Sequence, residues 1–332
     1  MRSLALVLCL IGVSGAACGP RSTLPVRMSD QEFWSLSETL SEPAGKFSVS
    51  DNLVSNEPHV AENIRRLRAA GGVYIGVGPE QNFSYIGKLR PAMAFVIDIR
   101  RENRNLHLLY KALFALSMDR GDFVSRLFSR PRPHGLGPSA TAEDIFNRYD
   151  GVAASAEHYE RNLARVRDHL LKTRALPLTA TDLEWIERVF KALCRDGPGI
   201  RYWGSSDMKA VQPTFRQLMT IEDGTGAARS FLATEEAFEF VKDMQWRNMI
   251  VPVVGDFGGA NAIPRVGEYV RAHGAQVQAF YGSNVAVYLT NQQKLTYCRN
   301  LATLPASRTA WFIERDGVLP FRSKLKKCAP GG

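Results

Sequence analysis

Apolar residues along the chain fall into two kinds of run: short unbroken ones that stop on glycine or an acid, and longer ones spaced three and four apart. Val73-Tyr-Ile-Gly76-Val-Gly78 is of the first kind, and Ala94-Phe-Val-Ile-Asp98 ends on an acid 22 residues beyond Gly76. Together they predict a strand, a tight glycine turn, a short helix and a second parallel strand. Val60, Ile64 and Leu67 predict a helix that Gly71-Gly72 stops, and Leu106, Leu109, Tyr110 and Leu113 mark an apolar helix face running to about Met118. Residues 141–195 read as helices without a strand, with Thr181 to Glu184 as a capping box, so this block is expected to be a helical insertion, a lid or wall over a site. Alternation then resumes. Ala237, Phe240, Val241 and Met244 give a helix, Met249 to Val254 a strand ending at Gly255-Asp256-Phe257, Ile263 to Val270 a helix, and Val277 to Tyr281 a strand ending at Gly282-Ser283-Asn284. Pro252 fits poorly in a central strand. The pattern predicts an α/β fold, a doubly wound, mostly parallel Rossmann-like sheet over residues 46–320.

Composition narrows this picture at the ends of the chain. The net charge of +9 comes from Lys and Arg scattered among acids, with a basic cluster only at 321–332, so no nucleic-acid face is expected. Met1-Arg2, the apolar run Leu4 to Val13 and the small residues Gly15-Ala16-Ala17-Cys18 are built like a secretory signal over residues 1–18. That signal also resembles a bacterial lipoprotein signal, in which Cys18 is lipidated and the protein meets a membrane; either way an exported, periplasmic or membrane-anchored location is expected. Residues 19–45 read as a leader draped on the domain, with a helix started by Ser29. No Cys or His spacing suggests a metal site, and Cys194 and Cys298 read as buried thiols.

Chemistry is expected where four strand ends converge, since ligands of open parallel sheets bind beyond the carboxyl ends of the strands. Gly76 to Asn82, Asp98 to Arg101, Gly255 to Gly259 and Tyr281 to Asn284 all finish in polar or glycine-rich residues. Asp98 reads equally as a helix cap or as an acceptor for ribose hydroxyls. Glu80, Asn82 and Tyr85 read either as ligand contacts or as helix-capping groups, and Asp256, flanked by glycines, as a substrate or cofactor contact. His107 reads as a satisfied histidine.

The segment Val73 to Asn103 resembles the first two strands of the Rossmann-like S-adenosylmethionine-dependent methyltransferases, through Ile-Gly76-Val-Gly78 and Val-Ile-Asp98-Ile-Arg, and Pro252-Val-Val-Gly-Asp256-Phe-Gly-Gly resembles their fourth-strand motif. Glu80-Gln-Asn-Phe-Ser-Tyr-Ile, His107-Leu-Leu-Tyr-Lys-Ala-Leu-Phe and Phe280-Tyr-Gly-Ser-Asn-Val, with those motifs, resemble an uncharacterised bacterial methyltransferase-like family over roughly residues 50–315. The resemblance implies S-adenosylmethionine as cofactor, held by Gly76, Gly78, Glu80, Asn82, Asp98 and Arg100. It also implies Asp256 as the catalytic residue beside the methyl acceptor, and a small-molecule substrate met by Tyr85, Phe257, Tyr281 and Asn284. Glu80 stands where that family carries a third glycine. Two functions follow: a methyltransferase of unspecified acceptor, or an exported ligand-binding protein that keeps the fold without the activity.

Overall fold

The computed structural model describes residues 22–47, 49–202 and 212–328. The signal-like segment 1–18, with Cys9 and Cys18, lies outside them. In chain order the elements are α1 (Asp30–Leu40), α2 (Val60–Arg66), β1 (Val73–Val77), α3 (Gln81–Leu89), β2 (Met93–Asp98), α4 (Arg101–Leu116), α5 (Arg120–Leu127), α6 (Ala142–Tyr149) and α7 (Ala156–Asp168). They continue with α8 (Ala180–Asp196), α9 (Phe215–Thr220), α10 (Glu235–Trp246), β3 (Ile250–Val254), α11 (Ala262–Ala272), β4 (Val277–Ser283), α12 (Asn291–Thr303), β5 (Ala306–Glu314), β6 (Gly317–Pro320) and α13 (Phe321–Lys327).

The protein is α/β, with one six-stranded sheet in the order β3-β2-β1-β4-β5-β6. Every neighbour pair is parallel except β5 with β6. This order is consistent with a Rossmann-like α/β fold, whose order reverses between β1 and β4 and leaves a crevice at their carboxyl ends. Strands β1, β2 and β3 are buried on both faces, which explains their unbroken apolar runs. Helices α3, α4 and α10 pack together as one layer, and α11 and α12 as another. Between β2 and β3 the described residues form no strand of the sheet, only helices α4 to α10 with their loops and two isolated bridges, Arg201 with Thr214 and Glu222 with Ala228, a longer stretch than residues 141–195.

Pro252 is reconciled with the sheet by its place at the edge. Hydrogen bonds from β3 into β2 involve Met249 and Gly255, the odd-numbered positions, so Pro252 turns its missing N–H outward. The leader occupies that outer side. Ser37 Oγ donates to the Pro252 carbonyl at 2.5 Å, Val254 N donates to Ser41 Oγ at 2.9 Å, and Glu42 N donates to the Val254 carbonyl at 3.0 Å. Helix α1 starts at a Ser29–Glu32 capping box and covers the strand's open ladder.

Three local expectations are corrected. The capping box of α8 is Thr179 with Asp182, two residues before the predicted one, because the Asp182 carboxylate at the third helical position returns to Thr179 N at 3.0 Å. Cys298 is not a free thiol: it is bonded to Cys328, with Cα atoms 5.4 Å apart. Residues 321–327 form α13 rather than a loose basic end, with Phe321 buried and Lys324 Nζ 2.7 Å from Glu314 Oε1.

Candidate functional site

The glycine turn after β1 is built by side chains lying behind it. Gly78 takes φ +78°, which favours glycine, and leads into Pro79 at the start of the turn. Asn82, the second residue of α3, donates through Nδ2 to the carbonyls of Val77, Gly78 and Pro79 at 3.0, 3.1 and 2.8 Å, while its Oδ1 accepts from Tyr74 Oη at 2.9 Å. Gly76 leaves room for this clamp, since a Cβ there would stand 1.9 Å from Asn82 Oδ1. Gly76→Ala is therefore expected to cost about 1–3 kcal/mol by overpacking. A thermal midpoint equal to that of the unaltered chain would show that Asn82 moves aside freely.

His107 on α4 completes the clamp. Burial pushes its imidazole down to about 4, so the ring is neutral at pH 7, and Nε2 lies 2.9 Å from the Gly78 carbonyl, to which it donates. Glu80 faces away from the turn. It is fully buried, and both carboxylate oxygens accept from Ser55 N, at 3.0 and 3.2 Å. Burial raises its carboxyl to about 7.

Beyond these strand ends lies a cavity of about 250 Å³. The tips of β1, β2, β3 and β4 all reach it, through Gly78, Asp98 with Arg100, Asp256 with Phe257, and Tyr281 with Ser283 and Asn284. Lys46, Phe47, Asn52, Ser55, Asn56 and Glu57 close one side, and Val285, Tyr288 and Leu289 another. Phe47 meets Tyr288 edge to face across this wall, with ring centroids 5.0 Å apart.

Seven of the eleven residues expected at a site thus line one cavity: Gly78, Asp98, Arg100, Asp256, Phe257, Tyr281 and Asn284. Gly76, Glu80, Asn82 and Tyr85 do not line it. Gly76 and Asn82 build the turn from behind, Glu80 is bonded to Ser55, and Tyr85 is buried against Tyr281, with centroids 4.8 Å apart. Strand β3, expected to carry the motif beside the reacting group, lies at the sheet edge next to β2, so Asp256 stands on the Asp98 side of the cavity. The strand beside β1 is β4, and its end carries Ser283.

Polar groups at the strand ends are held in defined pairs. Asp98 Oδ1 accepts from Arg100 N at 2.9 Å and Nε at 3.0 Å, and Oδ2 from Nη2 at 3.1 Å. Three of roughly four acceptor positions on the carboxylate are thereby filled, leaving one on Oδ2 for a ligand. Arg101 turns the other way, with Nε and Nη2 each 2.7 Å from Asp182, which ties α8 to the start of α4. Burial raises the Asp182 carboxyl, but bonds from Arg101, Thr179 and Asn105 outweigh it and hold the group well below the usual carboxylate range. Asp256 Oδ1 accepts from Gly258 N at 2.8 Å, and Oδ2 from Gln293 Nε2 at 3.3 Å.

Glu57 is the cavity residue that the sequence patterns passed over. It is 2% exposed, its Oε1 accepts from Ser283 Oγ, and Tyr281 lies beside the same carboxylate. Burial raises its carboxyl above the usual range. Among the described residues no group of three or more His, Cys, Asp or Glu is placed to hold a metal ion, and no helix is long and apolar enough to cross a membrane.

Comparison with curated proteins finds no match. A family model described as a domain of unknown function, DUF7790, matches residues 52–314, from the cavity wall to the end of β5. A match over most of the chain that takes in every strand from β1 to β5 places the protein in that family of α/β domains.

Proposed function

We propose that the cavity binds an adenosine-containing cofactor, and that the chain is an S-adenosylmethionine-dependent methyltransferase-like protein acting on a small molecule. The observation that carries this reading is the meeting of Gly78 at the tip of β1 and Asp98 at the tip of β2 in one cavity at the point where strand order reverses. In this reading the open position on Asp98 Oδ2 accepts from a ribose hydroxyl, Arg100 holds the carboxylate in place, and Asp256 meets the base rather than the methyl acceptor. The acceptor enters beside Tyr281 and Asn284. Methyl transfer asks chiefly for alignment of nucleophile and sulfonium, which a walled cavity supplies. The fold belongs to the same proposal: a doubly wound sheet in which the helices of residues 141–195 are an insertion that buttresses the site through Asp182 and Arg101.

A second reading is an exported protein that keeps the crevice and holds another ligand. The Cys298–Cys328 bond favours it, since disulfides persist in oxidising compartments. So does Arg100, whose fork occupies most of Asp98.

Calorimetry with S-adenosylmethionine on the unaltered protein separates the two. Micromolar binding is expected, and Asp98→Asn, which keeps the shape but removes the charge, is expected to weaken it by about tenfold to a hundredfold. Absence of heat from the folded protein would discard the cofactor and leave the second reading.

A further inference from the structure

Ser283 stands in the backbone conformation least expected of a serine, at the position in the sheet where chemistry is most expected. It ends β4, the strand beside β1 at the reversal of order, and its φ is +46°, in the left-handed region that a residue with a Cβ enters only when its surroundings hold it there. Two features hold it. Gly282 is packed so closely that a Cβ would stand 2.7 Å from Tyr297 Oη and 2.8 Å from the Phe312 ring. The register of β4 with β5 shifts between Tyr281 and Ser283, an irregularity of the kind that re-aims a side chain beside a site. The strand turns sharply into the short helix Val285–Val287, with Ser283 on the turn and facing the cavity.

Its hydroxyl is paired with a base. Ser283 Oγ donates to Glu57 Oε1, and Glu57, almost wholly buried, stands beside Tyr281 at the cavity wall. Asn284 Oδ1, an acceptor, stands 3.3 Å from the same Oγ. A hydroxyl on a strained turn and a carboxylate in contact with it are the parts of a nucleophile and its base.

We propose that Ser283 is a nucleophile activated by Glu57, and that this end of the cavity carries out acyl transfer from small esters. Ser283 Oγ attacks the carbonyl carbon as its proton passes to Glu57, and the carbonyl oxygen takes up the negative charge. The bond from that carbon to the leaving alcohol breaks, and the alcohol departs with the proton held by Glu57. Water then attacks the acyl-serine, gives a proton to Glu57, and releases the carboxylic acid as Ser283 recovers its proton. Val285, Tyr288 and Leu289 give the walls an apolar character suited to a short acyl chain. The inference goes beyond the cofactor reading and stands without it, because it uses the β4 end of the cavity and needs no nucleotide.

The test is covalent labelling of the full-length protein with diisopropyl fluorophosphate. The Ser283 oxygen–phosphorus bond forms, the phosphorus–fluorine bond breaks, and the hydroxyl proton passes to Glu57. Mass spectrometry is expected to place a single adduct on Ser283, absent in Ser283→Gly, a substitution that suits the positive φ and leaves the fold intact. Glu57→Gln is expected to slow labelling about a hundredfold. If that variant does not fold, Glu57→Asp, whose carboxylate falls one methylene short, is expected to slow it at least tenfold. No adduct on Ser283 in the folded unaltered protein overturns the proposal, as does a labelling rate that neither Glu57 variant changes. Labelling without calorimetric binding of S-adenosylmethionine would keep this inference and drop the cofactor; binding without labelling would do the reverse.

Discussion

Replacing Arg120 with methionine is expected to destabilise the protein by about 3–5 kcal/mol, the range for breaking a buried charge pair by removing one partner. Arg120 is 1% exposed and makes five side-chain hydrogen bonds to separate acceptors: Glu235 Oε2 at 2.8 Å and the carbonyls of Leu232, Ala233, Pro138 and Ala140 at 2.7–3.0 Å. The four carbonyls lie on two loops, one before α6 and one before α10, and Glu235 opens α10, so a single guanidinium ties both loops to the start of α5. Methionine fills much of the volume but leaves a carboxylate and four carbonyls without their donor. Urea denaturation monitored by tryptophan fluorescence measures the loss. Arg195→Met, which removes an exposed pair with the adjacent Asp196, serves as the control and should leave the midpoint almost unmoved. A shift no larger than the control's would mean that water replaces the guanidinium and that the two loops are held elsewhere.

The second expectation concerns pH. Glu80 has a folded value of about 7 against 4.5 for the free group, raised chiefly by burial. Below 4.5 both folded and unfolded chains hold the proton, and the group adds no penalty. Between 4.5 and 7 the unfolded chain gives up its proton while the folded chain keeps it, so unfolding is favoured as pH rises, and above 7 the buried carboxylate carries its full cost. At about 1.4 kcal/mol per pH unit the loss amounts to roughly 3 kcal/mol. Glu80→Gln retains an acceptor for Ser55 N without the charge. It is expected to match the unaltered protein near pH 4.5 and to exceed it in stability at pH 8, with the gap opening between those values. Taking the difference between the two chains cancels groups that respond in the opposite sense, such as Asp182. A gap that is constant with pH would place the proton elsewhere, with Glu57, which burial also raises, the first alternative.

Strands β1 to β4 were readable because each is almost wholly buried and ends abruptly in residues that a strand interior does not tolerate, whereas the partly exposed β5 and β6 were not read at all. Asp98 and Gly78 fall where the run lengths put them. What the pattern could not convey was neighbourhood. Pro252 looks misplaced until β3 is known to be an edge strand, and only the strand order puts Asp256 on the Asp98 side of the cavity. Glu80, Asn82 and Tyr85 follow the glycine turn directly and resemble ligand contacts, yet α3 turns them inward, where they bond to the turn, to Ser55 or to other rings. Glu57 left no signal at all. It lies in an irregular segment before α2, and only the folded chain brings it against Ser283, 226 residues later. The Cys298–Cys328 bond was equally silent, since a helix-spaced cysteine and a terminal one share no motif.

Both borders of the sheet are finished by pieces of chain outside the family match. The β3 border is closed by α1 through Ser37, Ser41 and Glu42, and the β5 border by the antiparallel strand β6, with α13 fastened behind it by Cys328. A fragment trimmed to residues 52–314 would therefore keep every strand from β1 to β5 and yet offer two raw ladders to its neighbours. The minimal soluble unit of this protein is wider than its recognisable signature, and excising the signature alone invites polymerisation.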